Sequence, residues 1–233
     1  MYRSADPDAR PAVRSSSAAA IPYVLPMAVL LTLLAVGPAL GLGPSEYPIR
    51  TVVVSAVLWF ASRRQIDLKV CHWGSSAAVG LAVFLIWITP ELVWPGYREF
   101  WLFQNALTGP AGGSIPVAYR AMPLVLVSRA VRATLLVPIV EELFWRGWLM
   151  RWLINPHFLE VRLGTFQPYA FFVSAVLFAT VHGVYWDVAL AAGIVYNAWM
   201  VRTRSLADCI FAHAVTNGLL SLYVVTLGQW QYW

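Results

Sequence analysis

Two adjacent acids and an arginine (Glu141, Glu142 and Arg146), then His182, then His213 and Asn217, interrupt three otherwise apolar stretches of the chain. A charged side chain at the centre of a lipid-compatible helix costs roughly 2.5–3.5 kcal/mol, so such residues face a bundle interior and serve a purpose there. Together their types supply the parts of a water-activating hydrolase. A carboxylate partly shielded from water accepts a proton from water near neutral pH, and Glu141 is the expected base. His182 would hold and polarise the attacking water. His213 and Asn217 would donate to the oxyanion that forms on a scissile carbonyl. No GxSxG turn and no Cys-His arrangement suggests a covalent route.

Spacing refines these roles. Glu142 and Arg146 are four apart, so on a helix they share a face and lower each other's burial cost. Glu141 points about 100° away and is left to meet other helices. Pro138, three residues earlier, removes a backbone donor and should disturb the helix beside the acids. Phe178 shares a face with His182, and His213 with Asn217. Taken singly, each cluster has a structural alternative: an ion pair that locks packing, a packing histidine, an interhelical hydrogen bond. Glu141, His182 and His213 also form a familiar zinc set, although the usual H-E-x-x-H helix is absent. A proton relay in a transporter would use the same groups, but no internal repeat supports one. Packing or interface roles are expected of Asp187 and Asn197.

The elements that must position these residues are membrane helices. Sixty per cent of the 233 residues are hydrophobic and 12% are charged, and the mean hydropathy is +0.66, values that exclude an ordinary soluble domain. Apolar stretches at about 21–41, 47–62, 75–94, 133–152, 168–185, 187–201 and 206–226 predict an all-α polytopic transmembrane bundle of about seven spans, with six to eight allowed. The net charge of +5 is accounted for by arginines and lysine at the ends of these stretches rather than by nucleic-acid binding. Arg3, Arg10 and Arg14, then Arg63, Arg64 and Lys69, then Arg151 and Arg162, then Arg202 and Arg204 occur at every second loop and so fall on one side if there are seven spans, which places the N-terminus in the cytoplasm. Three regions follow: a disordered cytoplasmic tail at 1–20, N-terminal helices and a long outer loop at 21–120, and a catalytic core at 121–233. The loop is expected to extend to Arg132, ending in an interfacial helix over 122–133 with Arg129 and Arg132 on one face. The closing GQWQYW is expected to be an interfacial anchor. Cys71 and Cys209 show neither metal nor redox spacing.

The runs EELFWR (141–146), FATVH (178–182) and HAVTN (213–217) resemble the E-E-x-x-x-R, F-x-x-x-H and H-x-x-x-N motifs of the CAAX-protease and bacteriocin-processing family of intramembrane endopeptidases. The resemblance covers about residues 121–226. It implies a peptidase of the bacterial inner membrane acting on a membrane-anchored or lipid-modified protein, with Glu141 as base alongside His182, His213 and Asn217 at the oxyanion, and Glu142 and Arg146 in support. It favours glutamate-dependent chemistry without a cofactor over the zinc alternative. The flanking RWLINPHF (151–158), LGTFQ (163–167) and GQWQYW are similar to the CAAX-protease-related proteins found with exosortase sorting systems, which implies components of such a system as partners. A non-proteolytic partner or scaffold of that system is the alternative.

Overall fold

The computed structural model describes residues 16–110 and 112–233. The tail expected at 1–20 therefore lies outside the described residues as far as residue 15. Its last five residues are already helical and run on into the first apolar helix.

Among the described residues, seven helices make up the bundle: α1 (Ser16–Val36), α2 (Glu46–Val57), α3 (Trp73–Val93), α4 (Pro123–Trp152), α5 (Pro168–Thr180), α6 (Trp186–Thr203) and α7 (Leu206–Leu227). No β-strand forms among the described residues. The architecture is thus the all-α polytopic bundle that the apolar stretches predict. Five segments are long and apolar enough to cross a membrane: Ser17–Leu40, Trp73–Val93, Pro123–Trp152, Gly183–Thr203 and Leu206–Leu227. The stretches at 47–62 and 168–185 do form helices, but shorter ones. Glu46 and Arg50 charge the start of α2, and α5 stops at Thr180, just before the left-handed turn at Gly183 (φ +54°).

The largest departure from expectation concerns residues 122–133. They are not a separate interfacial helix ending an outer loop, because α4 starts at Pro123 and continues without a break to Trp152. Arg129 and Arg132 therefore sit within a long helix and turn toward α2, where Thr51 donates to the Ser128 carbonyl at 3.0 Å. Two turns of α4 widen to π geometry, at Arg132–Leu136 and Leu143–Leu149, on either side of Val137–Glu142. The first lies just before Pro138, whose missing N–H disrupts the regular ladder.

Local chemistry sets the other helix boundaries and contacts. Pro26 cannot donate to the carbonyl of Pro22, and the Ser62 hydroxyl supplies that hydrogen bond at 2.5 Å, tying the end of the α2 segment to α1. Gln167 caps α5 by accepting from the Ala170 N–H at 2.7 Å, and Pro168 occupies the first helical position. Ser205 caps α7 through the Asp208 N–H at 3.2 Å.

The central core joins Val83 of α3, Val140 and Leu143 of α4, Phe178 of α5, Ala189 and Ala192 of α6, and Ala212 of α7. Large apolar side chains such as Val52, Phe60, Leu85, Val176 and Leu222 cover the outside, as a lipid-facing surface requires. Small residues let the backbones meet inside it. A Cβ at Gly80 of α3 would overlap the Ala212 carbonyl oxygen and come within 2.7 Å of Val215 Cβ on α7. Gly80→Val is therefore expected to force α3 from α7 and to cost about 1–3 kcal/mol, read as a lower unfolding temperature in detergent. Unchanged stability would show that the two helices separate freely.

Candidate active site

Glu141 and Glu142 lie between the two widened turns of α4 and face different surroundings. Glu142 is fully buried. Its Oε1 accepts from Arg146 Nη1 at 3.1 Å and lies 2.9 Å from Nδ1 of His213 on α7. The Arg146 guanidinium also donates from Nε to Asn197 Oδ1 at 2.8 Å and from Nη2 to the Gly193 carbonyl at 3.1 Å. Asn197 is fixed in turn by donating to the Phe171 carbonyl at 2.7 Å and to Ser174 at 2.9 Å. The guanidinium lies 5.0 Å from the centre of the Phe178 ring and 5.5 Å from that of Tyr196. The expected Glu142–Arg146 pair is thus present. It anchors α4 to α5, α6 and α7, and Asn197 has the structural role expected of it. Asp187, the other residue given a packing role, pairs with Arg98.

Glu141 takes no part in this network. Its side chain lines a cavity of about 190 Å³ whose wall also includes His182, His213 and Asn217. Glu141 is 7% exposed, and its Oε2 is buried without a hydrogen-bond partner. The three side chains on which a shared site depends, Glu141, His182 and His213, therefore converge from α4, the end of α5 and α7.

Hydrogen bonds fix the ring orientations. His182 Nδ1 is 2.7 Å from the Phe178 carbonyl, and a carbonyl can only accept, so that nitrogen carries the proton and Nε2 is left for another partner. The carboxylate paired with Arg146 likewise makes His213 Nδ1 a donor. His213 stacks on Tyr196 at 5.0 Å, while Tyr196 donates to Thr216 at 2.7 Å and Thr216 donates to the Gly80 carbonyl at 2.8 Å. Asn217 uses one amide hydrogen on the Ala133 carbonyl at 2.9 Å, and its second remains for a ligand.

Three features of the cavity were not legible in the sequence. Trp87, Arg129, Tyr196 and Trp233 belong to its wall, and of these only Arg129 carried a signal, as a charge within an apolar helix. The closing aromatics are not a surface anchor: Trp233 is 6% exposed, packs with Tyr47, Ile115 and Val125, and shares the cavity wall with Tyr232. The site also lies toward the Pro123 end of α4. Trp87, Arg129 and Tyr232 place it beside the segment after α3, whereas Lys69, Arg151 and Arg204 line a separate pocket at the other end.

Zinc fits this arrangement poorly. Among the described residues, no three His, Cys, Asp or Glu side chains are grouped to hold one metal ion, and His213 already directs Nδ1 to Glu142. Cys209 is buried and Cys71 exposed, and both are free. Residues 123–219 match the family model described as Rce1-like, type II CAAX prenyl endopeptidase Rce1-like. No curated protein and no solved structure matches the chain significantly.

Proposed function

We propose that this protein, whose residues 123–219 match the Rce1-like model of type II CAAX prenyl endopeptidases, is an intramembrane endopeptidase that uses Glu141 to activate water. The observation that carries the reading is the division of labour between adjacent acids: Glu142 is neutralised by Arg146, and Glu141 faces the cavity with an oxygen unpartnered.

In the proposed reaction a water molecule gives hydrogen bonds to the Glu141 carboxylate and to Nε2 of His182. Its oxygen attacks the scissile carbonyl carbon while Glu141 takes one proton. The negative charge gathering on the carbonyl oxygen is met by the second amide hydrogen of Asn217 and by Nε2–H of His213 when both of its ring nitrogens carry protons. When the tetrahedral species collapses, the C–N bond breaks and Glu141 returns its proton to the leaving amine. Water is consumed, an acid and an amine are released, and Glu141 ends as it began.

The substrate in this reading is a membrane-anchored or lipid-modified protein, possession of a bilayer anchor being what brings it to a cavity within helices. With the basic loops on the cytoplasmic side of a bacterial inner membrane, the cavity lies toward the extracytoplasmic half, where an exported component of an exosortase-type sorting system would meet it. Membranes with and without the protein should therefore differ in the termini of their anchored proteins, as read by mass spectrometry of terminal peptides. New carboxy-terminal ends are expected only when the protein is present, and identical sets would overturn the assignment.

No metal enters this scheme. Cleavage is expected to survive exhaustive chelation followed by metal analysis of the purified protein. Activity lost on chelation and restored by zinc would replace glutamate-only chemistry with the metal route.

A further inference from the structure

A second cavity, at the end of the bundle away from the catalytic groups, has a different chemistry. It holds about 320 Å³, within the range of sites for small molecules, about 300–1,000 Å³. Lys69 of the α2–α3 connection, Arg151 near the end of α4 and Arg204 between α6 and α7 line it, together with Tyr23, Gln65 and Asp67. Three cations thus face one acid. No ion pair joins Lys69, Arg151 or Arg204 to a carboxylate among the described residues. Asp67 accepts from the Lys69 N–H at 2.9 Å. Asp208, in the first turn of α7, is engaged by the Cys71 and His72 N–H groups at 3.1 and 2.8 Å and by the His72 ring at 3.0 Å.

Arg151 is 8% exposed. Its Nε and Nη1 donate to the Val161 and Gly147 carbonyls at 2.8 and 3.0 Å, neutral acceptors that fix the plane of the guanidinium without cancelling its charge. Arg204 is the one non-glycine residue with a positive φ (55°) among the described residues. It follows α6 at the place where glycine is the usual occupant, since only glycine takes that conformation without strain. A Cβ on Gly164 would overlap the Met200 carbonyl oxygen and lie 2.9 Å from Arg204 Cγ, so the loop before α5 closes on the arginine stem. The backbone would be served better by glycine, and what arginine adds there is its side chain.

The first turn of α7 completes the wall, and its leading N–H groups, at Leu206 and Ala207, have no helical carbonyl to bond. Backbone donors at a helix start, a fixed guanidinium and an excess of two positive charges match a phosphate group. Gln65 Oε1, buried without a hydrogen-bond partner, leaves an acceptor for a hydroxyl beside that phosphate. The pocket lies where three segments able to cross a membrane begin or end, at the level of lipid head groups. Basic pockets between membrane helices suit the heads of anionic lipids.

We propose that this pocket binds a hydroxylated phosphate ester, either the head of an anionic phospholipid or a soluble phosphate of the same kind. The site is separate from the peptidase reading, and its test needs no turnover. Phosphatidylglycerol and phosphatidylcholine are added to delipidated protein in detergent, and bound lipid is counted by native mass spectrometry. Phosphatidylglycerol is expected to bind more tightly by about five-fold or more for each cation that it meets. Arg204→Gly should lower that preference by about five-fold while the unfolding temperature holds or rises, because glycine relieves the backbone. An arginine with a structural role alone would give the reverse.

Lys69→Gln should weaken the preference likewise. Arg63→Gln, at the same end but outside the wall, should leave it within about two-fold. Glycerol phosphate then separates the two sources: displacement of phosphatidylglycerol assigns the pocket to a soluble ester, and failure to displace it assigns the pocket to the lipid. Equal binding of the two lipids would overturn the proposal, as would a preference that Arg63→Gln lowers as much as Arg204→Gly does. If Arg204→Gly fails to fold, the comparison of Lys69→Gln with Arg63→Gln decides the matter.

Discussion

Glu141→Gln is expected to lower the rate of peptide cleavage by roughly 10²–10⁴-fold while leaving the unfolding temperature within experimental error of the parent. The rate falls because an amide cannot take the water proton. The fold survives because Glu141 contributes no ion pair to the bundle and its Oε2 has no partner to lose. Glutamine has nearly the same shape and removes a shielded charge, so stability is expected to hold or rise. Cleavage assays on reconstituted protein paired with thermal unfolding would separate these effects. Full activity in Glu141→Gln would dismiss the water-activating role of Glu141 and require a different base for the cleavage.

Arg146→Ala should have the opposite balance, with a loss of stability of about 3–5 kcal/mol and of activity with it. Removing the guanidinium leaves Glu142 as an uncompensated charge at zero exposure and deprives Asn197 Oδ1 and the Gly193 carbonyl of their donor. Lysine is a poor replacement because a single ammonium cannot reproduce the planar fork that reaches three acceptors. Glu142→Gln combined with Arg146→Met removes both charges, and it should recover much of the stability lost in Arg146→Ala without recovering activity, since His213 would have lost its carboxylate partner. A double-mutant cycle measures that recovery. Equal damage from the single and double changes would mean that the arginine acts by packing against Phe178 and Tyr196 rather than by pairing.

The site was the most legible part of the sequence. Polar residues within apolar helices are few, and the need to hide them from lipid makes convergence of Glu141, His182 and His213 the economical arrangement. Their hydrogen-bond partners were less accessible. That His213 reaches Glu142 depends on the relative rotation of α4 and α7, which no spacing within one helix reveals. Helix boundaries failed where charge was taken as a sign of the membrane edge. Arg129 and Arg132 suggested a surface helix, yet both sit inside α4. An arginine in an apolar segment marks either a boundary or a site, and only its neighbours distinguish the two. The closing tryptophans misled for the same reason: an aromatic side chain suits the headgroup region and a cavity wall equally well.

The widened turns of α4 carry a consequence for how such a protein can change. Each π turn accommodates a residue that a regular helix would have to expel, and one lies on each side of Val137–Glu142. Loss of one residue from either turn would rotate the acids relative to the far part of the helix by about 100°. Glu141 would then face lipid or a packed neighbour although every polar side chain was retained. Along this stretch, the number of residues sets where the acids point as strictly as residue identity does.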